Sequence, residues 1–418
     1  MTSSPSESQK IAIVGGGAAG FFCAINAADL AVKNNLNIEV HIFESSNQYL
    51  KKVRISGGGR CNVTHNLFEV RPFTENYPRG SRELLSPFQK FQAKDTIEWF
   101  KKEGVEIVAE SDGRMFPETN TSETIIDCYL QKAEKLNVKL HPKSPIKKIE
   151  KKDQQIELFF KEGDSFIADS VLIATGSAEA GYRLAESLGH TITERAPSLF
   201  SFKIKDSLLN DLSGLSFNSS ALKIKIKDQK TFKQTGPMLI THWGLSGPAI
   251  LKLSAWAARE MKRADYSAQL FVNWLNLEKL TEVEELLKTI KEQNTKNHIK
   301  NAYPTELSKR FWQNLLMKLA IDPEKQWANI NKKEFSKLAN ALFNYEFEVL
   351  GQNRFKDEFV ECGGVSLKEI NFKTMESKIC PNLYFAGEIL DVDGITGGFN
   401  FQNAWSTAWI AAHSMINS

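Results

Sequence analysis

Short apolar runs and one long helical pattern alternate along the first forty-four residues. Residues 11–14 are wholly apolar and four of the six residues 38–43 are apolar, which predicts two strands. Between them, residues 18–33 predict a helix. The junction between the first strand and the helix carries a GxGxxG fingerprint formed by Gly15, Gly17 and Gly20. This order is typical of a dinucleotide-binding βαβ unit.

Each glycine of this fingerprint has a distinct predicted role. Gly15 permits the tight turn, Gly17 lacks the Cβ that would keep a pyrophosphate away, and Gly20 lets the helix pack closely on the strand. The helix start at Ala18 and Ala19 offers free N–H groups and the positive end of the helix dipole. The alternative is an ordinary glycine-containing turn between a strand and a helix.

Glu44 ends the second predicted strand, and Ser45 follows it. A carboxylate at this position can accept hydrogen bonds from a ribose diol. A glycine fingerprint alone is weak support, but strand, glycines, helix, strand and terminal acid in one register predict a dinucleotide site.

The remaining pattern divides the chain into a discontinuous domain and an insert. Two helices are predicted at 94–103 and 121–136, followed by three strands at 146–150, 155–160 and 166–174. The third strand leads into Ala174, Thr175 and Gly176, and this arrangement resembles the second half of the FAD-binding fold of glutathione-reductase-type flavoproteins.

From residue 196 the pattern of apolar and polar residues changes to short alternating runs. Alternating runs predict an antiparallel sheet or barrel over 196–273, and residues 275–345 are predicted to be helical. The simplest architecture is a nucleotide-binding domain made of 1–195 and 346–418, with a substrate domain, 196–345, inserted between its two parts.

Composition narrows the class of protein. The chain has 418 residues, 42% hydrophobic and 25% charged, which is typical of a globular protein of two or three domains. No apolar run approaches the roughly 20 residues of a membrane span, and the Ser-rich start lacks a signal-peptide core. We therefore expect a cytoplasmic protein without membrane contact. Its five cysteines have no metal-ligand spacing, so no metal site is expected.

A second group of candidate ligands lies near the C-terminus. A predicted strand ends at Gly387, acids follow, and a glycine pair opens a helix over residues 400–413. A flavin requires polar groups for its ribitol hydroxyls and a helix N-terminus for the N1/C2 edge of its ring. The predicted ligands here are Gly387, Glu388, Asp391, Gly397, Gly398, Phe399 and Asn400. The alternative for the acids, including the weaker candidate Asp393, is a solvated loop.

Residues 51–62 form the most distinctive string of the chain. Consecutive glycines would let the backbone lie flat against a ligand, and arginine can pair with phosphate. The predicted cofactor contacts are Arg54, Ser56, Gly57, Gly58, Gly59, Arg60, Cys61 and Asn62. Residues 51–82 contain seven basic residues against two acids, a net +5, whereas the whole chain carries only +3.

Several motifs together resemble one family of bacterial flavoproteins. They are SGGGRCN at 56–62, THWGLSGPA at 241–249, GGV at 363–365, TMESK at 374–378, YFAGE at 384–388 and GGFNFQ at 397–402. The family includes aminoacetone oxidases, bile-acid 3-dehydro reductases and the flavin-dependent dihydrouridine synthase of large-subunit ribosomal RNA. The resemblance implies an α/β fold with a discontinuous, glutathione-reductase-type FAD-binding Rossmann domain and an inserted β-barrel plus helices.

Two departures from the family pattern limit what the resemblance implies. The segment after Thr175 lacks the family's second glycine and its proline, and residue 361 is Glu where the family usually has Thr. Both segments are expected near the flavin, so the substrate of any one member does not transfer directly to this chain.

Candidate catalytic groups are Cys61, Cys362 and His242. A thiol beside a flavin can deliver the proton that pyrimidine reduction requires. The alternatives are core packing for the cysteines and structural capping for His242, which otherwise serves as an acid, base or phosphate contact.

The predicted function is that of an NAD(P)H-reduced FAD oxidoreductase that transfers hydride from flavin N5 to a C=C bond. Uridine in ribosomal RNA is the first choice of substrate, favoured by the basic run 51–82 and by seven lysines against three aspartates over 203–233. Only one glycine fingerprint is present, so either NAD(P)H binds transiently at the flavin without a domain of its own, or the reduced flavin reacts with another partner such as oxygen. Two alternatives stay open: a small-amine oxidase using oxygen, and a flavin-binding redox sensor or assembly protein. The sequence gives no prediction of oligomeric state.

Overall fold

A computed structural model describes residues 8–353 and 360–417, which form two compact units. The first contains residues up to 196 and those from 360 onward, and the second contains residues 197–353. The predicted return to the first domain at 346 is too early. The strand Tyr345–Val349 pairs along its whole length with Ala268–Asn273 of the second unit.

Twenty-two strands are present among the described residues. In chain order they are β1 Gln9–Val14, β2 Ile38–Phe43, β3 Thr64–His65, β4 Ile107–Ala109, β5 Arg114–Pro117, β6 Lys139–His141, β7 Ile146–Lys152, β8 Gln155–Phe160, β9 Ser165–Ala168, β10 Ser170–Ile173, β11 Ala196–Ser198, β12 Ser201–Lys203, β13 Ser216–Lys225, β14 Phe232–Thr241, β15 Gly244–Ser246, β16 Ala268–Asn273, β17 Tyr345–Val349, β18 Gly351–Asn353, β19 Val360–Cys362, β20 Ile370–Asn371, β21 Glu376–Ser377 and β22 Leu383–Phe385.

Thirteen α-helices accompany them in the described part of the chain. They are α1 Ala18–Lys33, α2 Lys51–Gly59, α3 Val70–Thr74, α4 Leu85–Lys90, α5 Ala93–Lys102, α6 Glu123–Lys135, α7 Glu179–Ser187, α8 Pro248–Trp256, α9 Ala258–Arg263, α10 Leu280–Gln293, α11 Lys309–Lys318, α12 Lys332–Phe343 and α13 Phe399–Ile416. Short 3₁₀ turns lie at Ser207–Leu209, Ile299–Asn301, Trp327–Asn329, Leu367–Glu369 and Gly387–Ile389.

A seven-stranded sheet forms the centre of the first unit. Its order is β20-β21-β22-β10-β1-β2-β6, and the five strands from β22 to β6 are parallel. Residues 11–13 of β1, the middle one of these five parallel strands, have no exposed surface. This explains their uninterrupted apolar character, because a parallel strand is covered on both faces. Helices α1 and α13 pack against each other beside this sheet.

The predicted strand 166–174 is in fact two strands in two sheets. β9 pairs with β8 in a three-stranded antiparallel sheet, and β10 lies between β1 and β22. Asp169 forms the corner between them: its carboxylate accepts from the Lys10 N–H at 2.7 Å, and its own N–H donates to the Lys10 carbonyl at 2.9 Å. The polar pair Asp169 and Ser170 interrupts the apolar pattern at this point, and the prediction of one strand passed over it.

The second unit contains an antiparallel sheet and a helical layer. The sheet order is β17-β16-β13-β14-β15-β12-β18. Among the described residues no pairing joins its two edge strands, so the closure that a barrel requires is not seen there. The sequence predicted only strands over 196–273, but α8 and α9 lie within that range. Pro248 at the first turn of α8 follows Gly247 at φ +93°, a helix start that the strand prediction missed.

Candidate functional site

The carboxyl ends of four adjacent parallel strands bring the predicted cofactor residues to one edge of the first unit. Gly15 follows β1, Glu44 follows β2, Ala174 follows β10 and Ala386 follows β22. In open parallel sheets this edge is where ligands bind.

The glycine turn has the geometry that its sequence predicted. A Cβ on Gly20 would lie 2.0 Å from the Gly15 carbonyl oxygen, so only glycine allows α1 to approach β1 this closely. Gly15 has φ +111°, and a Cβ there would meet the Ala174 carbonyl oxygen at 2.6 Å. A Cβ on Gly17 would meet no protein atom within 4 Å. This opening lies at the N-terminus of α1, where no side chain caps the helix, and it fits a pyrophosphate.

Backbone donors hold the carboxylate of Glu44 beside this turn. Its Oε2 accepts from the Gly16 N–H at 2.9 Å, and its Oε1 accepts from the Ser46 N–H at 2.8 Å and from the Ser45 hydroxyl at 3.2 Å. These hydrogen bonds fix the orientation of the Glu44 carboxylate, the predicted ribose acceptor, beside the glycine turn.

The segment expected to be a loop from Lys51 begins as a helix. α2 starts at Lys51, and its backbone leaves the helical conformation at Ser56. Gly57, Gly58 and Gly59 all have positive φ, between +58° and +83°. A Cβ on Gly58 would meet no atom within 4 Å. Three left-handed residues in succession require glycine, and they present exposed backbone rather than side chains.

The basic residues of this segment are largely paired with acids. Lys52 Nζ lies 2.7 Å from Glu388 Oε2, Arg54 pairs with Glu123, and Arg79 pairs with Asp393. A further pair joins Arg60 to Glu110 at 2.6 Å. The net charge of +5 over residues 51–82 is therefore largely balanced by carboxylates from elsewhere in the unit.

Arg60 has a second contact that fixes its side chain. Its guanidinium lies 3.9 Å from the centre of the Phe116 ring, and it also donates to Asn120. In this arrangement Arg60 ties the glycine segment to β5, so its predicted pairing with a phosphate would have to compete with Glu110.

The N-terminus of α13 is joined to the glycine segment. The Asn62 side chain, oriented by its hydrogen bonds, accepts from the Gly398 N–H at 3.0 Å and donates to the Thr64 carbonyl at 3.1 Å. Gly398 has φ +88°, and a Cβ there would lie 2.4 Å from the Thr64 carbonyl oxygen. Two segments more than 330 residues apart in sequence thus form one wall of the site.

The loop before α13 is held by side-chain amides and a ring. The Asn400 amide both accepts from the Gly394 N–H at 2.8 Å and donates to its carbonyl at 2.9 Å. His65 Nδ1 lies 3.0 Å from the Gly397 carbonyl, and its ring stacks on Phe399 at 4.8 Å. Asn400 therefore acts on the loop itself, whereas the sequence predicted it as a direct cofactor contact.

Behind this loop lies a buried ion pair. Both nitrogens of the Arg79 fork donate to the Asp393 carboxylate, which has no exposed surface. Burial alone would lower the pKa of Arg79, but Asp393, with smaller contributions from Cys362 and Asp391, raises it. Asp391 itself is buried and accepts from the Gly363 N–H at 3.1 Å. The sequence ranked Asp393 as the weaker acid and did not identify Arg79 as its partner.

The structure favours the packing alternative for both candidate cysteines. Cys61 and Cys362 have no exposed surface. Burial raises the pKa of the Cys61 thiol to about 12, with a hydrogen bond to Ser56 acting in the opposite direction. The full burial of both thiols supports the packing alternative, and their role as proton donors stays a prediction.

The remaining predicted residues are divided between the two units. Thr175 lies after β10, and its hydroxyl is buried without a hydrogen-bond partner among the described residues. Gly176 has φ +59° and lies beside Glu388. The Gly387 N–H donates to the Thr407 hydroxyl of α13 at 3.0 Å. His242 lies on the second unit, exposed, in the turn between β14 and β15.

A buried amide network behind α13 was missed by sequence reasoning. Thr64 and Thr96 both donate to Gln402 Oε1, at 2.7 and 3.0 Å, and Gln402 Nε2 donates to the Ser406 hydroxyl at 3.0 Å. The motif GGFNFQ contained the signal, since a glutamine inside an apolar helix needs buried partners.

The chain matches the family model described as HI0933-like protein Rossmann domain over residues 9–414. The chain belongs to this family. The prediction of an FAD-dependent oxidoreductase with a Rossmann-type FAD-binding domain is thereby confirmed. The open helix N-terminus at Gly17 and the ordered acceptor Glu44 fit that cofactor.

Two relatives are similar to the chain over nearly its whole length. The ribosomal RNA dihydrouridine synthase of Escherichia coli strain K12 is 28% identical, with 97% of each chain covered. The 3-dehydro-bile acid delta(4,6)-reductase of Clostridium scindens is 25% identical, with 97% of this chain and 98% of the relative covered.

Among solved structures, the 3-ketosteroid delta1-dehydrogenase from Sterolibacterium denitrificans is similar with a TM-score of 0.51. The alignment covers 98% of this chain and all of that one at 11% identity, so the likeness is one of fold.

The described residues contain no helix of the length and apolarity needed to cross a membrane. They also contain no group of three or more His, Cys, Asp or Glu side chains arranged to hold a metal ion.

Proposed function

We propose that the chain reduces a carbon–carbon double bond, with uridine in large-subunit ribosomal RNA as its substrate and NAD(P)H as its transient reductant. The observation that carries this proposal is the full-length similarity to a ribosomal RNA dihydrouridine synthase, with 97% of both chains covered. Formation of dihydrouridine adds two hydrogens across the C5–C6 bond of uridine. The bile-acid relative is also named as a reductase, so reductive chemistry is common to both names.

The first unit supplies the residues that would hold FAD. The α1 N-terminus at Gly17 would receive the pyrophosphate, Glu44 a ribose, and the α13 N-terminus at Gly398 the ring edge. When bound, the reduced flavin supplies hydride from N5. The polypeptide would orient the ligand through the exposed glycine backbone at 57–59.

The assignment of the first unit to the glutathione-reductase subclass is part of the same proposal. Its support is the three-stranded antiparallel sheet β7-β8-β9, which directly precedes β10 of the parallel sheet. The sequence placed such an excursion at this point of the chain.

The basic run 51–82 does not support RNA binding, because carboxylates from the same unit neutralise Lys52, Arg54, Arg60 and Arg79. The lysines of the 203–233 region therefore carry the electrostatic support for a phosphate-rich substrate.

A reconstituted reaction tests the proposal. FAD-loaded protein is incubated anaerobically with NADH or NADPH and with large-subunit ribosomal RNA that lacks dihydrouridine, and the digested nucleosides are measured by mass spectrometry. We expect dihydrouridine to form with the RNA and not with free uridine. Gly17→Val protein, which keeps the polypeptide but blocks the pyrophosphate position, serves as the inactive control. Nicotinamide oxidation that leaves the RNA unchanged would contradict the proposal.

A further inference from the structure

Five lysines of the second unit gather on one β-hairpin. The hairpin β13–β14 contains Lys223, Lys225, Lys227, Lys230 and Lys233, and its only acidic residue is Asp228. The resulting net charge of +4 exceeds the +3 of the whole chain. Four of these lysines are exposed, and Lys223 is partly exposed. We call these five side chains the lysine hairpin.

The lysine hairpin differs from the other basic clusters in lacking counter-charges. Within the described residues, none of its five ammonium groups lies in an ion pair. By contrast, Lys52, Arg60 and Arg79 of the first unit each face a carboxylate. A cluster of unneutralised cations on one short element is the electrostatic footprint of a polyanionic ligand.

The cross-strand register places like charges directly opposite each other. Lys223 of β13 is paired with Lys233 of β14. Directly opposed like charges destabilise a sheet, and the described structure provides no acid to relieve this pair. A bound anion lying across the two strands would reduce the repulsion between these two lysines.

An aromatic ring orders two of the lysines on the same face. Phe271 of the neighbouring strand β16 lies opposite Lys223, and its ring centre is 4.6 Å from Lys223 Nζ and 5.0 Å from Lys225 Nζ. Cation–π contacts of this kind restrict the long side chains. Because Lys223 and Lys225 are two residues apart on one strand, their attachment points are separated by roughly 6.6 Å, a spacing similar to that of successive phosphates.

The charge on this face changes sign across the sheet. Beyond β16, β17 places Glu346 opposite Phe271 and Glu348 opposite Gln269. The face is thus basic on β13 and β14 and acidic on β17. A polyanion would be attracted to the hairpin side and repelled from the far edge, which fixes where it can lie.

We propose that the lysine hairpin binds the phosphate backbone of the RNA substrate and so forms a docking surface on the second unit. This inference rests on the proposed function for the identity of the polyanion. Recognition is through the backbone phosphates and independent of base sequence, because lysines are point charges without bidentate geometry.

The test compares two charge-matched triple variants of the FAD-loaded protein. Lys223→Gln/Lys225→Gln/Lys233→Gln removes the hairpin charges, and Lys288→Gln/Lys332→Gln/Lys333→Gln removes three exposed charges from helices α10 and α12 of the same unit. Binding of labelled large-subunit ribosomal RNA is measured across a series of salt concentrations. FAD content and thermal unfolding are recorded for each protein to show that both variants are folded.

We expect the hairpin variant to bind the RNA about tenfold or more weakly near 0.1 M salt, with the slope of log K against log salt reduced by about two to three units. The α10/α12 variant should bind like the parent. Equal affinities and slopes for parent and hairpin variant would overturn the docking surface, as would a parent protein that binds anionic phospholipid vesicles but no RNA.

The dihydrouridine reaction separates this inference from the proposed function. Dihydrouridine formation by the parent with undiminished RNA binding by the hairpin variant would refute the surface alone. Loss of binding in the hairpin variant, with no dihydrouridine formed by the parent, would support the surface and refute the proposed reaction.

Discussion

At the residue scale, Gly17 and Gly20 lie three positions apart and differ in what surrounds them. Gly20 is required by the protein, since a Cβ there would lie 2.0 Å from the Gly15 carbonyl oxygen, whereas a Cβ on Gly17 would meet no protein atom within 4 Å. The space beside Gly17 is therefore left for a ligand.

We expect Gly17→Val and Gly20→Val to separate cofactor binding from folding. Gly17→Val should weaken FAD binding by at least about tenfold, or about 1.4 kcal/mol, while the thermal unfolding of the cofactor-free protein stays unchanged. Gly20→Val should destabilise the cofactor-free protein by about 1–3 kcal/mol or more because its new side chain meets backbone. Flavin absorbance and calorimetry measure the two effects. Full FAD retention by Gly17→Val would refute the cofactor site.

The buried pair of Arg79 and Asp393 gives a second prediction. Asp393→Asn removes the carboxylate to which the buried Arg79 guanidinium donates two hydrogen bonds, which should cost about 3–5 kcal/mol of unfolding free energy. The double variant Arg79→Met/Asp393→Leu removes both charges and should recover much of the loss. Urea denaturation of the two proteins provides the measurement, and equal stabilities would show that the pair is not a coupled buried unit.

Cysteine substitutions test the structural assignment of the thiols. Because Cys61 and Cys362 have no exposed surface, we expect Cys61→Ala and Cys362→Ala to leave turnover within about threefold of the parent, whereas loss of a general acid costs about 10²- to 10⁴-fold. Steady-state kinetics measures this with FAD content as the control. A hundredfold loss in either variant at full FAD loading would restore that thiol as the proton donor.

Single residues were predictable from the sequence where their role is local. The close backbone approaches at Gly15 and Gly20 were predicted from the order of strand and helix around them, and the structure contains both. The partners of Arg60 and Arg79 were not predicted, because Glu110 and Asp393 lie 50 and 314 residues away and only tertiary packing brings them together.

At the element scale, regular and strongly patterned segments were predicted well. Helix α1 occupies residues 18–33 and strand β2 residues 38–43, as the pattern indicated. The predictions failed where a segment that was predicted as one element contains two. The run 166–174 feeds two sheets through the corner at Asp169, and residues 51–55 are helical although the glycines that follow suggested a loop.

Helix α13 depends on the buried amide of Gln402, which links it to β3 and α5. We expect Gln402→Leu to destabilise the protein by about 2–3 kcal/mol, since the Thr64 and Thr96 hydroxyls would lose their common acceptor inside the protein. Urea unfolding measures the cost. The variant Gln402→Leu/Thr64→Val/Thr96→Val, which removes the stranded hydroxyls, should recover part of it, and no recovery would contradict the explanation.

At the scale of the whole molecule, stability should depend on pH through buried histidines. His190 has a fully buried side chain whose Nδ1 lies 3.1 Å from Glu369 and whose Nε2 lies 2.9 Å from the Ser377 hydroxyl. Burial lowers the pKa of His190, with Glu369 opposing the effect in part. Burial also lowers the pKa of His41, His141 and His413.

The lowered pKa values of these histidines determine whether the free energy of unfolding rises or falls with pH. The unfolded chain takes up protons on its histidines near pH 6.5, while the folded chain does so only at lower pH, so the unfolded state binds more protons in that window. Unfolding free energy should therefore fall as the pH drops below about 6.5, by at most about 1.4 kcal/mol per pH unit for each histidine. Urea titrations at several pH values measure the slope, and His190→Asn should reduce it. An identical slope in both proteins would contradict the assignment to His190.

The two-unit organisation was predictable in outline, because the pattern of apolar and polar residues changes at residue 196. The second boundary was placed too early, at 346, since the return to strands there suggested the first domain. Those strands, β17 and β18, belong to the sheet of the second unit. Strand character alone does not say which sheet a strand joins.

The most direct test of the central claim is nucleoside mass spectrometry of large-subunit ribosomal RNA from cells that lack this chain, compared with the parent and with the deletion complemented by the intact gene or by its Gly17→Val form. The account predicts that a dihydrouridine is lost on deletion, restored by the intact gene and not restored by Gly17→Val. An unchanged dihydrouridine content in the deletion strain would contradict it.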